Sequence, residues 1–544
     1  MRHAAAGAGR TPTRAAWAAL PVAGLLVLAT LLVGCGTPPA GPPAEAATPE
    51  PRWLTTKTPY HPGQPIAAYE PPPPGFAPVH TQLVARHGTR GMTSPKDELA
   101  LLNLWRAAAA EGALTPLGQG LGPDLEALIR SNALLGHGVE GITRPGYGNL
   151  TRIGIEEHTQ LAQRVLQRLP ALFEPAAQDG AARRRITVQH SGVDRAADSA
   201  EAFMRSLLQA RPALAPLVER PVLQGYPADA PRAQAPGVDR FRLYFHRLNA
   251  RNDLVTDPTD PALAVYRASL AYQAYARSAA VKAKVNEARA DPALAQAAVA
   301  TLQRLFTPAF VERLARGQAS YPSTGSFEFT SDDGSFKAKV VGDGKASIRS
   351  PMDALLALYA VYEIAPGLRR EPGARDFARY LPEDAARLMA WANDAEDFYV
   401  KGPGIAEDRP VNHAMARGLL EDFFRQALAA ADGGERAGMA SFRFTHAEII
   451  IPLASALGLD AWDVPVPRAQ LYRYETNPWR GEQVSGYAAN VQWDIWRDAS
   501  GTTLVRMLYN ERQTAFKRAC DGARQAPGSF FYDLRRLHAC YATD

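Results

Sequence analysis

Cysteine is nearly absent, with 3 residues in a chain of 544. No CxxC and no HxxxH spacing occurs anywhere, so the usual ligand sets for zinc are missing and no metal is expected. Histidine is scarce as well, at 11. An excess of one charge is also lacking. Against 55 Asp and Glu stand 60 Lys and Arg, and the net charge of +5 is spread along the chain, so nucleic acid is not an expected partner. Arg183-Arg184-Arg185 is the only tight basic run and reads as a solvated element end. What is left is an ordinary globular composition, 46% hydrophobic and 21% charged, in a chain long enough for two domains or for one large domain with an insertion.

The N-terminus is more specific. Arg2, Arg10 and Arg14 precede an apolar segment from Ala15 to Val33, the pattern of an export signal over residues 1–34. Leu32-Val33-Gly34-Cys35 resembles a bacterial lipobox, which implies cleavage before Cys35 and lipidation of its thiol. About 19 mostly apolar residues could instead stay as a membrane-spanning anchor. Either way the rest of the chain is exported, and the lipoprotein reading makes it a periplasmic or outer-membrane protein that touches the membrane only through its lipid. In that oxidising compartment the two remaining cysteines, Cys520 and Cys540, most simply form a disulfide, with two free thiols as the alternative. Residues 35–78 are rich in Pro, Ala and Thr, including the run Pro71 to Pro74, and are expected to be an extended tether.

The chain after the tether is organised around Leu83-Val84-Ala85-Arg86-His87-Gly88-Thr89-Arg90. Val79, Thr81, Leu83 and Ala85 alternate as in a strand, and Gly88 and Gly91 end it, so Arg86, His87 and Arg90 fall just past its carboxyl end. In open α/β sheets that edge is the ligand crevice. Two guanidiniums beside one imidazole, with Asp97 as the nearest carboxylate downstream, call for an anionic ligand to supply the missing charge. Arg grips phosphate through paired N–H bonds, and Gly88 lets a tetrahedral group approach the backbone. The order strand, polar turn, helix recurs twice. Ile186 to Gln189 leads to Arg195 at a helix start, where an anion gains from free N–H groups and the helix dipole. Phe442 to Thr445 leads to His446 and Glu448, with a capping Glu in a first turn as the plain structural reading of the latter.

Helices are expected from about Ser94, as N-cap ahead of Pro95, to Ala110, with Glu98 and Arg106 wet, and from Ile153 to about Leu169, with His158 exposed. Further helices are read over Asp353 to Ile364 and Pro382 to Tyr399. Between Asp239 and Gly317 the sequence is helical and Ala/Leu-rich, and Ser326 to Val341 alternates about Asp333-Gly334 as a hairpin. The expected architecture is therefore α/β, a mostly parallel sheet flanked by helices over 79–238 and 345–544, with an inserted, mainly helical cap domain over 239–344. His246, inside the cap, reads as a satisfied structural histidine. Lys96 and Lys401 are candidates to meet substrate phosphate; a solvated first-turn lysine and a helix-terminal lysine are their alternatives.

Arg86-His87-Gly88-x-Arg90, then Arg195-x-x-x-Ser199-Ala200, then His446-Ala447-Glu448, each after a strand, resemble in that order the histidine phosphatase superfamily, branch two, which includes histidine acid phosphatases and phytases. Leu150-Thr151-x-x-Gly154 fits the same pattern. The last motif is more often His-Asp; His-Ala-Glu is similar to the multiple inositol polyphosphate phosphatases, as is Leu508-Tyr509-Asn510-Glu511 ahead of Cys520. Met92 stands where a proline is common. The resemblance implies that neutral His87 attacks phosphorus and is transiently phosphorylated, while Arg86, Arg90, Arg195 and His446 neutralise the transferring group. It further implies that Glu448 serves as proton donor. An adjacent phosphate should keep that carboxyl protonated at work, so activity should lean acidic to neutral. The expected substrate is a phosphorylated small molecule, phytate first and sugar phosphates second, with no cofactor and a monomeric chain. A non-catalytic phosphate-binding lipoprotein and a mutase are the remaining readings.

Overall fold

The computed structural model describes residues 52–179, 185–222, 235–433 and 438–542. The export segment, Cys35, Arg183 and Arg184 lie outside them. The strands are β1 (Ala77–Arg86), β2 (Ile186–His190), β3 (Val218–Glu219), β4 (Tyr321–Thr330), β5 (Lys337–Ile348), β6 (Ala440–Thr445), β7 (Asn490–Arg497), β8 (Thr503–Tyr509), β9 (Arg512–Thr514) and β10 (Phe531–Asp533). All but β4 and β5 form one sheet in the order β10-β8-β7-β1-β6-β2-β3, with β9 against β8. β1, β6, β2 and β3 are parallel neighbours, β8 runs the same way, and β7 and β10 run against them. The class is α/β with a mostly parallel sheet flanked by helices.

The period of two in β1 sorts its side chains between two cores. Leu83 and Ala85 join Val188, Phe442 and Phe444 under the helices Arg152–Arg168 and Asp194–Ala210, which contribute Leu161, Val165, Phe203 and Leu207. Val84 joins Val491, Trp493 and Ile495 on the other face, in a cluster that runs on without a break through the helices of 262–315. The inserted helices thus share a core with one face of the sheet. The β4–β5 hairpin turns at Gly334, whose φ of +72° is open to glycine, and packs on the helix Lys96–Ala110.

Register sets the site. Arg86 lies beside Thr445, and Ala85 and His190 both lie beside Phe444, so β1, β6 and β2 end at one level. The next residues in each, His87, His446 and Ser191, leave the sheet side by side.

Several expectations need correcting. The stretch 35–78 was expected to be a tether throughout, but from residue 52 it is strapped to the body. Leu54 is buried, the Tyr60 amide donates to Glu157 (2.8 Å), and its hydroxyl donates to Glu511 (2.8 Å). Proline there sets the path of a packed segment, because Leu54 and Tyr60 have apolar surface to bury. The helix after the first motif begins at Lys96 and Ser94 makes no capping bond to it. Glu98 was expected wet and is fully buried, accepting from Asn132 Nδ2 (2.8 Å). Burial raises its carboxyl to about 8, so it is neutral and hydrogen-bonded in the core. His158 was expected exposed and is likewise buried, packed edge-on to Phe444 at 5.5 Å, with burial lowering it to about 3. A neutral imidazole fills that space as an aromatic ring would.

Candidate active site

His87 is 3% exposed and its Nδ1 lies 2.9 Å from Gly88 O. A carbonyl only accepts, so Nδ1 carries the proton and Nε2 keeps its lone pair. Burial first, then Arg195, Arg86, His446 and Arg90, hold the ring well below its usual pKa, so the nitrogen is free of a second proton. The loop that carries it is tied down on both sides. The Gly88 amide donates to Ser199 Oγ (3.1 Å), and that hydroxyl donates to Arg195 O (2.7 Å), which couples the first motif to the second. The Thr89 amide and hydroxyl both donate to the Glu157 carboxylate (2.7 Å each). A Cβ at Gly88 would sit 2.3 Å from Gly154 O, and one at Gly154 would sit 2.1 Å from Thr89 O. Both glycines are therefore required by the contact between loop and helix.

The three arginines have no carboxylate partner among the described residues. Arg86 donates to Thr56 O and Ser485 O, stacks on Tyr487 at 4.6 Å and leaves Nε without a bond. Arg90 donates only to its neighbour Gly91 O (2.7 Å), and Arg195 likewise has an unbonded buried Nε. Burial lowers Arg195 to about 10, with Arg90 and Arg86 adding repulsion. Such unpaired buried cations are stabilised by an anion between them.

Facing this clamp is a second group. Glu448, in the first turn of the helix Ala447–Ala456, lies 3.6 Å from Lys401 Nζ, and Lys401 lies 2.8 Å from Asp397. Burial opposes charge on Glu448, but Lys401 with His246 and His446 outweighs it and holds the carboxyl well below its ordinary range. Without substrate Glu448 is therefore ionised, while the expected protonation is that of the site with a phosphate beside it. His446 packs edge-on to His87 at 5.4 Å, its Nε2 2.8 Å from Ser191 Oγ and its Nδ1 unbonded. His246 lies 6.2 Å from the His446 ring and packs edge-on to Tyr244 at 4.7 Å, and its Nδ1 makes no hydrogen bond among the described residues.

A cavity of about 270 Å³ gathers Arg86, His87, Arg90, Arg195, Lys401 and Glu448. Lys96 does not line it and stands exposed at the start of its helix. Thr55, Thr56, Lys57 and Asp397 do line it, and sequence reasoning missed them. Lys57 sits in a proline-rich stretch with no periodicity, where the backbone takes positive φ at Trp53 and Thr55 (+67° and +49°). A larger hollow of about 1060 Å³ elsewhere is also basic, but Arg409, Arg425 and Arg518 along it are paired with Asp463, Asp422 and Asp460. Unsatisfied positive charge is what marks the smaller one. Cys520 and Cys540 are joined as a disulfide, linking the turn Arg518–Ala523 to the helix Leu534–Ala542.

An α/β sheet that sets a neutral imidazole against three unpaired guanidiniums at its carboxyl edge defines a protein built to handle phosphoryl groups. Residues 79–510 match the family model of the histidine phosphatase superfamily (branch 2), and the chain belongs to that family of phosphatases. Its structure is similar to that of the Bifidobacterium longum multiple inositol polyphosphate phosphatase in complex with inositol hexasulfate, with 31% identity and a TM-score of 0.76 over 91% of this chain and 98% of that one. The complex of the same enzyme with phosphate gives 30% and 0.77 over the same shares. The phytase from D. castellii shares the fold at 14% identity and a TM-score of 0.56, over 90% of this chain and 84% of that one. No curated protein matches the chain.

Proposed function

We propose that this chain is an exported phosphomonoesterase that hydrolyses inositol polyphosphates, phytate foremost, through a phosphohistidine at His87. The observation that carries the reading is the free Nε2 of a neutral His87 facing three guanidiniums without carboxylates, with Lys57 and Lys401 in the same cavity. One phosphate engages Arg86, Arg90 and Arg195. Nε2 gives its lone pair to phosphorus as the bond from phosphorus to the inositol oxygen breaks, and Glu448 delivers a proton to that oxygen. Water then attacks phosphorus, the N–P bond breaks, and Glu448 takes the proton released by the water. The arginines, fixed before substrate arrives, stabilise charge on the equatorial oxygens without reorganising.

The two further lysines favour a substrate with more than one phosphate. The Bifidobacterium longum relative in complex with inositol hexasulfate supports that choice. Incubating the purified protein with inositol hexakisphosphate, without added metal, and resolving the products tests it. Stepwise release of phosphate, well ahead of release from sugar monophosphates, is expected; equal rates on both would leave only a broad acid phosphatase. The export signal and the Cys520–Cys540 disulfide support placement in the cell envelope through a lipid on Cys35. Metabolic labelling with a radioactive fatty acid should then mark the parent and not Cys35→Ser, and an unlabelled parent would refute the anchor.

A further inference from the structure

Lys401 ends the helix Glu383–Val400, where its amide donates to Asp397 O (2.8 Å), so its backbone is fixed while its ammonium faces the cavity. The ammonium is shared unequally. It is 2.8 Å from Asp397, one turn back on its own helix, and 3.6 Å from Glu448, and Glu448 is the more open partner, 31% exposed against 18%. A carboxylate paired with an ammonium is a poor proton donor, and of the carboxyls that line the cavity, Glu396, Asp397 and Glu448, it is Glu448 that follows the sheet edge beside His446 and is the more open of the lysine's two partners.

We propose that Lys401 is a gate on the general acid: a second substrate phosphate draws its ammonium off Glu448, and Glu448 then takes up the proton it delivers to the leaving oxygen. This deepens, and rests on, the polyphosphate reading above. A lone phosphate fills the clamp and leaves Lys401 on Glu448, so the leaving group departs without its proton. A polyphosphate brings a neighbouring anion to Lys401 and Lys57, and that same anion disfavours a negative Glu448. The other charged or titratable groups around Glu448 are Asp397, His246, His446, Arg86, Arg195 and Tyr272. The clamp cations meet the first phosphate of every substrate, and His246 and His446 do not line the cavity, so none of these discriminates; Lys401 does. Selection for polyphosphates then falls on kcat more than on KM, by the roughly 10²–10⁴-fold that general acid catalysis supplies.

Titration calorimetry at pH 5, in buffers of different ionisation enthalpy, counts the protons taken up as a ligand binds. Inorganic sulfate and myo-inositol hexasulfate do not titrate at that pH, so every proton taken up lands on the protein. Hexasulfate is expected to take up about one proton more than sulfate, and that excess should vanish in both Glu448→Gln and Lys401→Met. Equal uptake from the two ligands in the unmutated protein overturns the gate, as does an excess that survives in Glu448→Gln, whether or not Lys401→Met folds. Failure of hexasulfate to bind at all overturns the polyphosphate reading itself, whereas binding without the extra proton overturns the gate alone.

Discussion

Gly154→Ala tests whether the reactive loop depends on a backbone contact that involves no charged side chain. The helix Arg152–Arg168 presses on the loop so closely that a Cβ at residue 154 would meet Thr89 O at 2.1 Å and Thr89 N at 2.8 Å. Ordinary contact begins near 3.4 Å, so loop and helix must separate by about 1 Å. Thr89 is also bonded to Glu157, one turn further along the same helix, so the separation stretches those bonds and displaces Gly88 and His87 with Thr89. Overpacking of this kind costs about 1–3 kcal/mol of stability, and a displacement of about 1 Å at a reacting atom costs on the order of 10²-fold in rate. The variant is expected to fold with a lowered Tm and to release phosphate from inositol hexakisphosphate with kcat down about a hundredfold. Circular dichroism on melting and a phosphate-release assay read both quantities. A variant within threefold of the parent kcat, with Tm unchanged, would refute the claim that this contact sets the nucleophile.

Three other perturbations reach different parts of the account. Glu448→Gln should slow release of a poor alkoxide leaving group by about 10²-fold or more while barely slowing an activated aryl phosphate; equal losses on both substrates would remove Glu448 as donor. Glu98 keeps its proton in the folded state up to about 8 but loses it near 4.5 when unfolded, so its contribution is full in acid and lost as pH rises toward 8. Glu98→Gln, which can still accept from Asn132, should therefore gain stability over the parent between pH 5 and pH 8 in urea melts, and parallel pH profiles would contradict this. Removing the Cys520–Cys540 bridge by a double Ser substitution should cost about 3 kcal/mol by the loop-entropy estimate, read as a lower urea midpoint for the C-terminal helix and its sheet edge.

The parts of the site that sequence could announce share one trait: each ends a strand whose alternation is local. Leu83, Ala85 and then Arg86-His87-Gly88 signal a strand and its stop within eight residues, and Phe442 to Glu448 does the same. The parallel register of β1 with β6 then brings residues far apart in the chain to one edge. What stayed hidden is fixed by distant partners. Glu98 and His158 are polar residues on helices and were expected at the surface, but Asn132 and Phe444, supplied by other elements, make burial tolerable. Lys57 reaches the cavity only because Leu54 and Tyr60 anchor a proline-rich strap. The ionised state of Glu448 depends on Lys401, which precedes it by a full helix and a strand, and no spacing rule links the two. Export and lipidation remain readings of residues 1–35 alone.

The central claim is that His87 Nε2 carries the phosphoryl group between substrate and water. Rapid acid-free quenching of the protein during turnover of ³²P-labelled inositol hexakisphosphate, followed by peptide mapping, measures this directly. The account predicts an acid-labile, base-stable label on the peptide that contains His87, formed before free phosphate accumulates and absent from a folded His87→Ala variant that no longer turns over. Undiminished phosphate release by His87→Ala, or turnover in the parent with the label on another residue, would contradict it.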